Sequence, residues 1–484
     1  MGKKKILFVS SEAVPFVKTG GLADVAGTLP KYFNKERYDV RVIIPKYSCI
    51  KWEYVQKFQY KFNIRMQYCG DHKYVGIFEL VQDGVTFYFL DNEYYFSGWG
   101  PYTDDVKWDI EKFTFFSKAA LSCLPNIGFR PDVIHCHDWQ TGLVPVYLKG
   151  VFQDNPFYRG IRSVMTIHNL KFQGIYDKRH LQGVSGLPGY FFAPDKLGLF
   201  RDGNMLKGGI TYADKITTVS HSYAQEIKTP FYGEKLDGLL RARQHDLWGI
   251  VNGIDYEQFN PETDSHLEKK YNVKNFRKEK KKNKLALQRQ LGLRQDPNIM
   301  MIGIVSRLTD QKGLDLVAYV LDELCHDAIQ LVVLGTGNYQ YEAMFRHFAW
   351  KYPDKVSANI YYSDDLSHKI YGGCDAFLMP SLFEPCGLSQ LMSLRYGTLP
   401  IVRETGGLKD TVQPFNEYEE KGTGFSFRNY NAHEMMATVR YAERIYYDKR
   451  ISWNRMVDRA MQQDFSWNNS AKQYELLYDQ LLGW

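Results

Sequence analysis

Short apolar runs alternate with helix-length segments along this chain, and this alternation limits the folds that it can adopt. In the first half the runs are ILFVS at 6–10, VRVIIP at 40–45, DVIHCH at 132–137 and SVMTIH at 163–168. Nearly continuous apolar runs of this length, ended by polar residues or glycine, are typical of strands buried on both faces of a parallel sheet. The pattern therefore predicts an α/β fold.

The second half repeats the pattern, with MMIGIVSRL at 300–308, IQLVVLGTG at 329–337 and AFLMPSLF at 376–383. The chain has 484 residues, whereas a single hydrophobic core rarely grows beyond about 250–300 residues, so we expect two doubly wound domains with a cleft between them. A polar, lysine-rich stretch follows residue 261, and we place the hinge near residue 250. Ligands of such sheets bind beyond the carboxyl ends of the strands, so motifs at these ends are the functional candidates.

Composition and charge argue against several classes of protein. Charged residues make up 24% of the chain and no run of 18 apolar residues occurs, so we do not expect a membrane protein. The net charge is +6, and much of the local excess lies in Lys274 to Lys284, which we interpret as a solvated basic face without the interleaved aromatics of a nucleic-acid site. Nucleic acid is therefore not an expected partner.

The N-terminus and the cysteines point to a cytoplasmic protein. The apolar stretch after Lys3 to Lys5 covers only Ile6 to Val9, which is too short for a signal peptide. The seven cysteines form no C-x-x-C pair, so reduced thiols are expected rather than a zinc ribbon or a redox motif.

The first strand is followed by Lys18-Thr19-Gly20-Gly21, and helical character begins soon afterwards. Two glycines let the backbone approach a ligand closely, and a helix N-terminus with an adjacent lysine suits an anion. Taken alone, an ordinary glycine turn is the commoner explanation of this sequence.

Two further strands of the first half end in polar clusters. One ends in His135-Cys136-His137-Asp138, and the next along the chain ends in His168-Asn169. His135 and His137 share a face of the strand, so a metal site is one alternative, but no nearby third ligand supports it. A polar cluster that contacts a sugar is the preferred interpretation, because the clusters lie at the same predicted edge.

In the second half, Arg307 ends a strand and Lys312 precedes a helix. Two cations at this position suit a diphosphate leaving group, and a basic surface turn is the alternative. LGTG at 334–337 begins like a dinucleotide-binding fingerprint, but Gln340 lies where that fingerprint needs its third glycine. A nicotinamide-dependent enzyme is therefore not expected. No aspartate lies two residues from another, so a paired-carboxylate metal site for diphosphate is absent and cations of the protein must take its place.

Two more strand ends carry PSLFEPCGLSQ at 380–390 and ETGGLKDT at 404–411. Both offer backbone N–H groups near a helix start, which suits phosphate binding. The carboxylate of Glu384 can accept hydrogen bonds from sugar hydroxyls.

In order along the chain, KTGGLADVAG, HCHDWQT, TIHN, VNGID, SRL with QKG, PSLFEPCGLSQL, RYGTLP and ETGGLKDTV resemble the motifs of the bacterial glycogen synthases and plant starch synthases. The match runs from about residue 6 to 427, and the ordered set is far more specific than any one motif. It implies the GT-B fold, with an N-terminal domain over 1–249, a nucleotide-sugar-binding domain over 250–464 and a last helix, within about 465–484, that crosses back onto the first domain.

The resemblance implies a retaining glucosyltransferase that moves glucose from ADP-glucose to the non-reducing end of an α-1,4-glucan, with no metal or other cofactor. UDP-glucose as donor and the oligomeric state stay open. The implied contacts are these: donor phosphates at Lys18, Gly20 and Gly21; glucose at Asp138, His168 and Glu384; the diphosphate at Arg307 and Lys312; the remaining cradle at Cys386, Gly387, Leu388, Thr405, Gly406, Gly407 and Leu408; the hinge at Asn252; and the base at Tyr362, with Tyr95 a weaker candidate.

One position departs from the wider retaining GT-B pattern, in which a second glutamate follows the first after eight residues and binds the ribose. Position 392 is methionine, so the motif assigns no ribose contact. Other enzymes of this fold class, such as a glucan phosphorylase or a sucrose or trehalose synthase, are the alternatives, as is a catalytically silent glucan-binding protein. The intact set of His168, Arg307, Lys312 and Glu384 argues against the silent protein.

Overall fold

The computed structural model of the chain describes residues 2–98 and 100–483. It divides into two compact units: unit 1 comprises Met1–Val219, Ala224–Ile250 and Trp467–Trp484, and unit 2 comprises Ser220–Tyr223 and Val251–Ser466. The short segment Ser220–Tyr223 thus belongs to unit 2, although the domains expected from the sequence put it in the first. None of the helices in the described ranges is long and apolar enough to cross a membrane.

Unit 1 is built on a large twisted sheet with a small antiparallel sheet beside it. Its strands are β1 (Lys4–Val9), β2 (Tyr38–Pro45), β3 (Gln59–Tyr68), β4 (Asp71–Gln82), β5 (Val85–Asp91), β6 (Val133–His137), β7 (Arg162–Ile167), β8 (Ile175–Asp177), β9 (Gly198–Leu199), β10 (Asp202–Asn204), β11 (Lys215–Thr218) and β12 (Leu247–Gly249). The order in the large sheet is β12-β11-β7-β6-β1-β2-β5-β4-β3, and in the small one β8-β10-β9.

The large sheet is parallel from β12 to β5, as the buried apolar runs predict, but β4 and β3 join it as an antiparallel hairpin. This edge was not predicted. The sequence of β3, QYKFNIRMQY, alternates polar and apolar residues and is largely exposed, so it lacks the continuous apolar run that indicates a buried parallel strand. The predicted parallel sheet of this unit is therefore confirmed, and the hairpin of β3 and β4 is an antiparallel addition at its edge.

Helices cover the sheet of unit 1 and carry the connections between its parallel strands, and one of them, His221–Glu226, begins in unit 2. Those between the first strand and residue 250 are α1 (Gly21–Thr28), α2 (Trp52–Val55), α3 (Glu93–Phe96), α4 (Val106–Ser122), α5 (Leu124–Ile127), α6 (Leu143–Gly150), α7 (Lys178–Ser185), α8 (Met205–Tyr212), α9 (His221–Glu226) and α10 (Asp237–Ala242), with 3-10 turns at Leu29–Tyr32, Trp139–Thr141 and Gly189–Phe192.

Unit 2 is a parallel α/β sheet, as predicted. Its strands are β13 (Met300–Val305), β14 (Ile329–Leu334), β15 (Val356–Asn359), β16 (Ala376–Met379), β17 (Leu399–Arg403) and β18 (Phe425–Phe427). Their order is β15-β14-β13-β16-β17-β18, so the strand order reverses beside β13. The helices are α11 (Phe276–Gln290), α12 (Leu314–Leu324), α13 (Tyr339–Lys351), α14 (Asp364–Gly373), α15 (Ser389–Arg395), α16 (Gly406–Thr411), α17 (Ala432–Asp448) and α18 (Arg450–Gln462), with a 3-10 turn at Asp310–Lys312.

The basic run of unit 2 is not the solvated face that the sequence suggests. It forms part of α11, and Lys280 and Lys284 are buried on one side of this helix. Lys280 Nζ donates to the carbonyl oxygens of Gly372 and Tyr396, at 3.0 and 3.1 Å, and Lys284 pairs with Asp375 at 2.5 Å. The interpretation of Lys274 to Lys284 as uniformly solvated is therefore wrong.

The last helix, α19 (Trp467–Leu482), is part of unit 1. Asp479 forms ion pairs with Lys4 of β1 and with Arg37, and it accepts a hydrogen bond from the hydroxyl of Tyr38 at the start of β2. Tyr478, fully buried, contacts His135 of β6. The final helix therefore completes the core around the first strands of the chain.

Candidate active site

Three neighbouring strands of unit 1 bring the predicted polar residues to one edge of the sheet. β1 pairs in parallel with β6, and β6 pairs in parallel with β7, so their carboxyl ends lie side by side. Glu12, Asp138 and His168 follow these three ends. Asp138 and His168, both expected at strand ends from the sequence, therefore lie in one cluster.

Asp138 lies at the end of β6 in a left-handed backbone conformation, with φ of +57°. Its Oδ1 accepts a hydrogen bond from the backbone N–H of His168 at 2.7 Å, which ties the two strand ends together. Burial raises the pKa of Asp138 to about 7, although the backbone hydrogen bonds from His168 and Asn169 work against this rise. The carboxyl group is thus poised to change its protonation state near neutral pH.

The histidines of this edge are neutral. Burial lowers the pKa of His168 to about 3, and burial lowers that of His137 well below its usual range. Nδ1 of His137 lies 3.0 Å from Nε2 of His168, so one ring positions the other. A neutral imidazole with a fixed tautomer can hold a sugar hydroxyl without adding charge.

His135 has a structural role in this unit. Its Nδ1 lies 2.6 Å from the hydroxyl of Tyr478, and its Nε2 lies 2.5 Å from that of Thr166. Both ring nitrogens are therefore occupied, and the ring is fully buried. The idea that His135 contacts a sugar, or pairs with His137 on a metal, is wrong for this reason.

Glu12 is a residue of the site that the sequence analysis missed. Its carboxylate accepts hydrogen bonds from the backbone N–H and the hydroxyl of Thr19, at 2.5 and 2.9 Å, and from the hydroxyl of Tyr102 at 3.0 Å. It therefore fixes the loop that contains Lys18, Gly20 and Gly21. The available signal was its position directly after the end of the first strand.

The loop itself is open. Lys18 is exposed and pairs with Asp24 of α1 at 2.8 Å. Gly20 precedes α1, and a Cβ added to Gly20 would meet nothing within 4 Å. Since no crowding of the protein requires glycine there, the space at Gly20 is available to a ligand that approaches the start of the helix.

The raised pKa of Asp138 predicts a measurable link between pH and stability. Between its ordinary value of 3.8 and about 7, the folded chain keeps a proton that the unfolded chain has lost, so this group makes the folded state less stable as pH rises. Asp138→Asn removes this effect. As pH rises through that window, the free energy of unfolding of the variant should therefore increase relative to that of the parent by up to about 1.4 kcal/mol per pH unit.

Guanidinium unfolding of both proteins at several pH values between 4.5 and 6.5 measures the difference. Asp154→Asn, which changes an exposed carboxylate of the same unit, is the matched control and should show no such slope. A constant difference between Asp138→Asn and the parent over this range would contradict the assignment.

The candidate residues of unit 2 lie at the ends of β13, β16 and β17, which are parallel neighbours. Lys312 Nζ lies 2.7 Å from Glu384 Oε2, and the hydroxyl of Ser381 donates to the same oxygen at 3.1 Å. The Glu384 side chain is 7% exposed, so this ion pair is largely shielded from water. An ammonium held in this way is pre-positioned for an anionic ligand.

Close backbone packing explains the glycines of this edge. A Cβ on Gly406 would lie 1.9 Å from the carbonyl oxygen of Glu384, and one on Gly407 would lie 2.1 Å from that of Cys386. Gly406 also has φ of +46°. The turn of Thr405, Gly406, Gly407 and Leu408 therefore holds the Glu384 loop in place, which is a supporting role beside the predicted ligand contact.

The other candidates of unit 2 lie around this turn. Arg307 is exposed, and within the described ranges no hydrogen bond or ion pair of its guanidinium is seen. Cys386 is buried, and burial raises the pKa of its thiol to about 12, so it is not a nucleophile at neutral pH. Asn252 donates its backbone N–H to the sulfur of Cys386, whereas Gly387 and Leu388 lead into α15.

The two tyrosines proposed to contact the base differ. Tyr362 follows β15 and is 85% exposed, so its ring is available for stacking. Tyr95 belongs to unit 1, is 2% exposed, and has its ring stacked between Trp108 and Phe115. Its hydroxyl donates to Glu111 at 2.9 Å, so the ring of Tyr95 serves the core of unit 1.

Two Rossmann-like α/β units, one with an open glycine loop at its first strand and the other with a shielded lysine–glutamate pair at its strand ends, define a glycosyltransferase of the GT-B class. The family profiles agree: "Starch synthase catalytic domain" matches residues 5–242, and "Glycosyl transferases group 1" matches residues 283–459. The chain belongs to the glycogen and starch synthase family of glucosyltransferases, which confirms the resemblance seen in its motifs.

Similar proteins support this assignment over the whole length. The chain is 66% identical to a glycogen synthase of Lachnospira eligens and 60% identical to one of Lachnoclostridium phytofermentans, in each case over 99% of this chain and 100% of the other. The catalytic domain of starch synthase IV from Arabidopsis thaliana, bound to ADP and acarbose, superposes with a TM-score of 0.92 at 31% identity, with all of both chains covered. A sucrose-phosphate synthase from Thermosynechococcus elongatus, at 16% identity and a TM-score of 0.62 over 99% of this chain and 100% of the other, shares the fold.

Proposed function

We propose that this chain transfers glucose from ADP-glucose to the non-reducing end of an α-1,4-glucan, with retention of configuration and without a metal cofactor. The observation that carries the proposal is the shielded pair of Lys312 and Glu384 at the strand ends of unit 2. A fixed ammonium suits the charge that develops on a departing diphosphate. The Arabidopsis relative bound to ADP supports a nucleoside diphosphate as the leaving group.

The residues divide the chemistry between them in this proposal. Arg307 and Lys312 neutralise the diphosphate, and Lys18 with the glycine loop contacts the same phosphates. Glu384, Asp138 and His168 hold the hydroxyls of the transferred glucose, because a carboxylate accepts hydrogen bonds and a neutral imidazole can donate or accept one.

The retaining step needs no protein nucleophile. The 4-hydroxyl of the acceptor enters on the face that the nucleotide leaves, through an oxocarbenium-like state, and the departing phosphate oxygen takes its proton. Cys386 offers no alternative nucleophile, because its thiol stays protonated. Stabilisation of charge by fixed cations would then supply most of the rate.

An elongation assay tests the function directly. The purified chain is given glycogen with labelled ADP-glucose or UDP-glucose side by side, with and without a chelator. Faster incorporation from ADP-glucose, release of ADP and no effect of the chelator on the rate are expected. Release of glucose 1-phosphate would indicate a phosphorylase, preference for UDP-glucose would overturn the donor, and absence of incorporation from both donors would indicate a silent glucan-binding protein.

The exposed ring of Tyr362 gives a sharper prediction about the donor. Loss of a stacking ring typically costs about 1–3 kcal/mol per base, so Tyr362→Ala should raise KM for ADP-glucose about tenfold and change kcat little. Steady-state kinetics with saturating glycogen measures both constants. Tyr339→Ala, which removes another exposed tyrosine of unit 2, is the control. An unchanged KM in Tyr362→Ala would exclude Tyr362 from the base site.

A further inference from the structure

A compact group of histidines and aspartates in unit 2 has no part in the proposed transfer. Asp264 and His266 lie on the loop before α11, whereas Asp364, Asp365 and His368 lie in the first turns of α14. One ligand atom from each of Asp264, His266 and His368 lies within 4.8 Å of the others.

Both imidazoles are held by a carboxylate on the same ring nitrogen. Nδ1 of His368 lies 2.7 Å from Asp264 Oδ2, and Nδ1 of His266 lies 3.0 Å from Asp365 Oδ1. Asp264 is itself fixed, since it accepts hydrogen bonds from the hydroxyl of Tyr396 and the backbone N–H of His266. A carboxylate that accepts a hydrogen bond from Nδ1–H leaves the lone pair on Nε2, which is the usual arrangement of histidines that bind a metal ion.

The second ring nitrogen of His368 is the strongest part of this observation. His368 is 1% exposed, and its ring is stacked on Phe259 with centroids 4.8 Å apart. Nε2 is buried and has no hydrogen-bond partner among the residues that the structure describes. It lies 3.9 Å from Asp364 Oδ2, one helical turn earlier on α14. A buried polar nitrogen with no partner is costly, so it calls for a specific explanation.

We propose that this cluster, defined by His266, Asp364 and His368, binds a divalent transition-metal cation of the zinc type. His368 and His266 provide imidazole nitrogens and Asp364 a carboxylate oxygen, while Asp264 and Asp365 orient the two rings. Mixed imidazole and carboxylate ligands favour such an ion over magnesium or calcium, which prefer oxygen alone. His368 is already in place, and only the half-exposed side chains of His266 and Asp364 need to adjust.

The position of the cluster indicates what the cation would do. α14 begins at Asp364, two residues after Tyr362, and a cation shared by Asp364 and His266 would join the start of this helix to the loop before α11. Because the ion binds the folded chain only, it should raise Tm, and it need not take part in the transfer of glucose.

Cobalt and zinc titrations of the tag-free full chain, after treatment with a chelator, test the proposal. We expect one zinc ion per chain with a dissociation constant in the micromolar range or below, a rise in Tm, and a visible cobalt spectrum without a thiolate band. His266→Gln and Asp364→Asn should each weaken binding at least about tenfold. These two side chains are half-exposed, so the variants should fold; His368→Gln should abolish binding.

His347→Gln, which removes an exposed histidine of α13, is the matched control and should bind zinc as the parent does. Three results would overturn the proposal: no saturable binding up to millimolar zinc, a thiolate band in the cobalt spectrum, or equal affinity in the parent and in both His266→Gln and Asp364→Asn. Any of them would leave Asp264 and His368 as a buried hydrogen-bonded pair with a structural role alone.

Discussion

Lys312→Ala is expected to lower kcat at least about a hundredfold. The variant loses the cation assigned to the departing diphosphate, and removal of one fixed charge stabiliser typically costs about 10²–10³ in kcat. It also leaves the buried carboxylate of Glu384 without its ion-pair partner, 2.7 Å away in the parent. Initial rates of glucose incorporation from saturating ADP-glucose measure the effect, and far-ultraviolet circular dichroism checks the fold.

Lys351→Ala is the matched control, because Lys351 also pairs with a carboxylate of unit 2, that of Asp322, but lies on the surface at the end of α13. It should retain the kcat of the parent. Arg307→Ala should show a loss of similar size to that of Lys312→Ala, since both cations are assigned to the diphosphate. Normal turnover in both Lys312→Ala and Arg307→Ala would remove the electrostatic basis of the proposed mechanism.

Lys280→Met should destabilise the fold by about 1–3 kcal/mol. Lys280 Nζ donates to the carbonyl oxygens of Tyr371 and Gly372, in the last turn of α14, and to that of Tyr396, directly after α15. Burial lowers the pKa of Lys280 to about 7, so its amine stabilises these two helix ends through hydrogen bonds rather than as a fixed cation. Methionine fills similar space but removes these hydrogen bonds: the carbonyl of Gly372 loses this donor, whereas those of Tyr371 and Tyr396 keep the hydroxyls of Thr398 and Tyr271.

Guanidinium unfolding, followed by circular dichroism, measures this loss. Lys281→Met alters the next residue of α11, whose side chain is exposed and donates to Asn298, and it should change the free energy of unfolding by less than about 0.5 kcal/mol. Equal midpoints for the two variants would show that Lys280 contributes no more than a surface lysine.

The sequence was informative where the physics of a parallel sheet is strict. Continuous apolar runs predict buried strands, and the carboxyl ends of neighbouring parallel strands must meet, so Asp138 and His168 come together as expected. Lys312 and Glu384 are 72 residues apart in the sequence and follow different strands, and the same rule brings them into contact. The family motifs added the order and identity of these residues.

Other features depend on contacts that no local pattern reveals. In the sequence, nothing distinguishes Glu12 from other polar residues that follow a strand. Its role depends on the loop at Thr19, which folds back onto its carboxylate. Lys280 lies in a run that is lysine-rich throughout, and only the packing of α11 against α14 decides which lysines are buried. Gly406 and Gly407 resemble phosphate-binding glycines in sequence. In the structure, glycine is required at both positions because the backbone of the Glu384 loop leaves no room for a Cβ atom.

The contacts of α19 have a consequence for the order in which the chain can fold during synthesis. Lys4 leaves the ribosome 475 residues before its ion-pair partner, Asp479. During synthesis, the strands of unit 1 therefore lack the helix α19 until all of residues 251–466 have been made and can fold. Premature termination anywhere in unit 2 should thus leave the apolar surface around Tyr38 and His135 uncovered, a state that chaperones and proteases recognise.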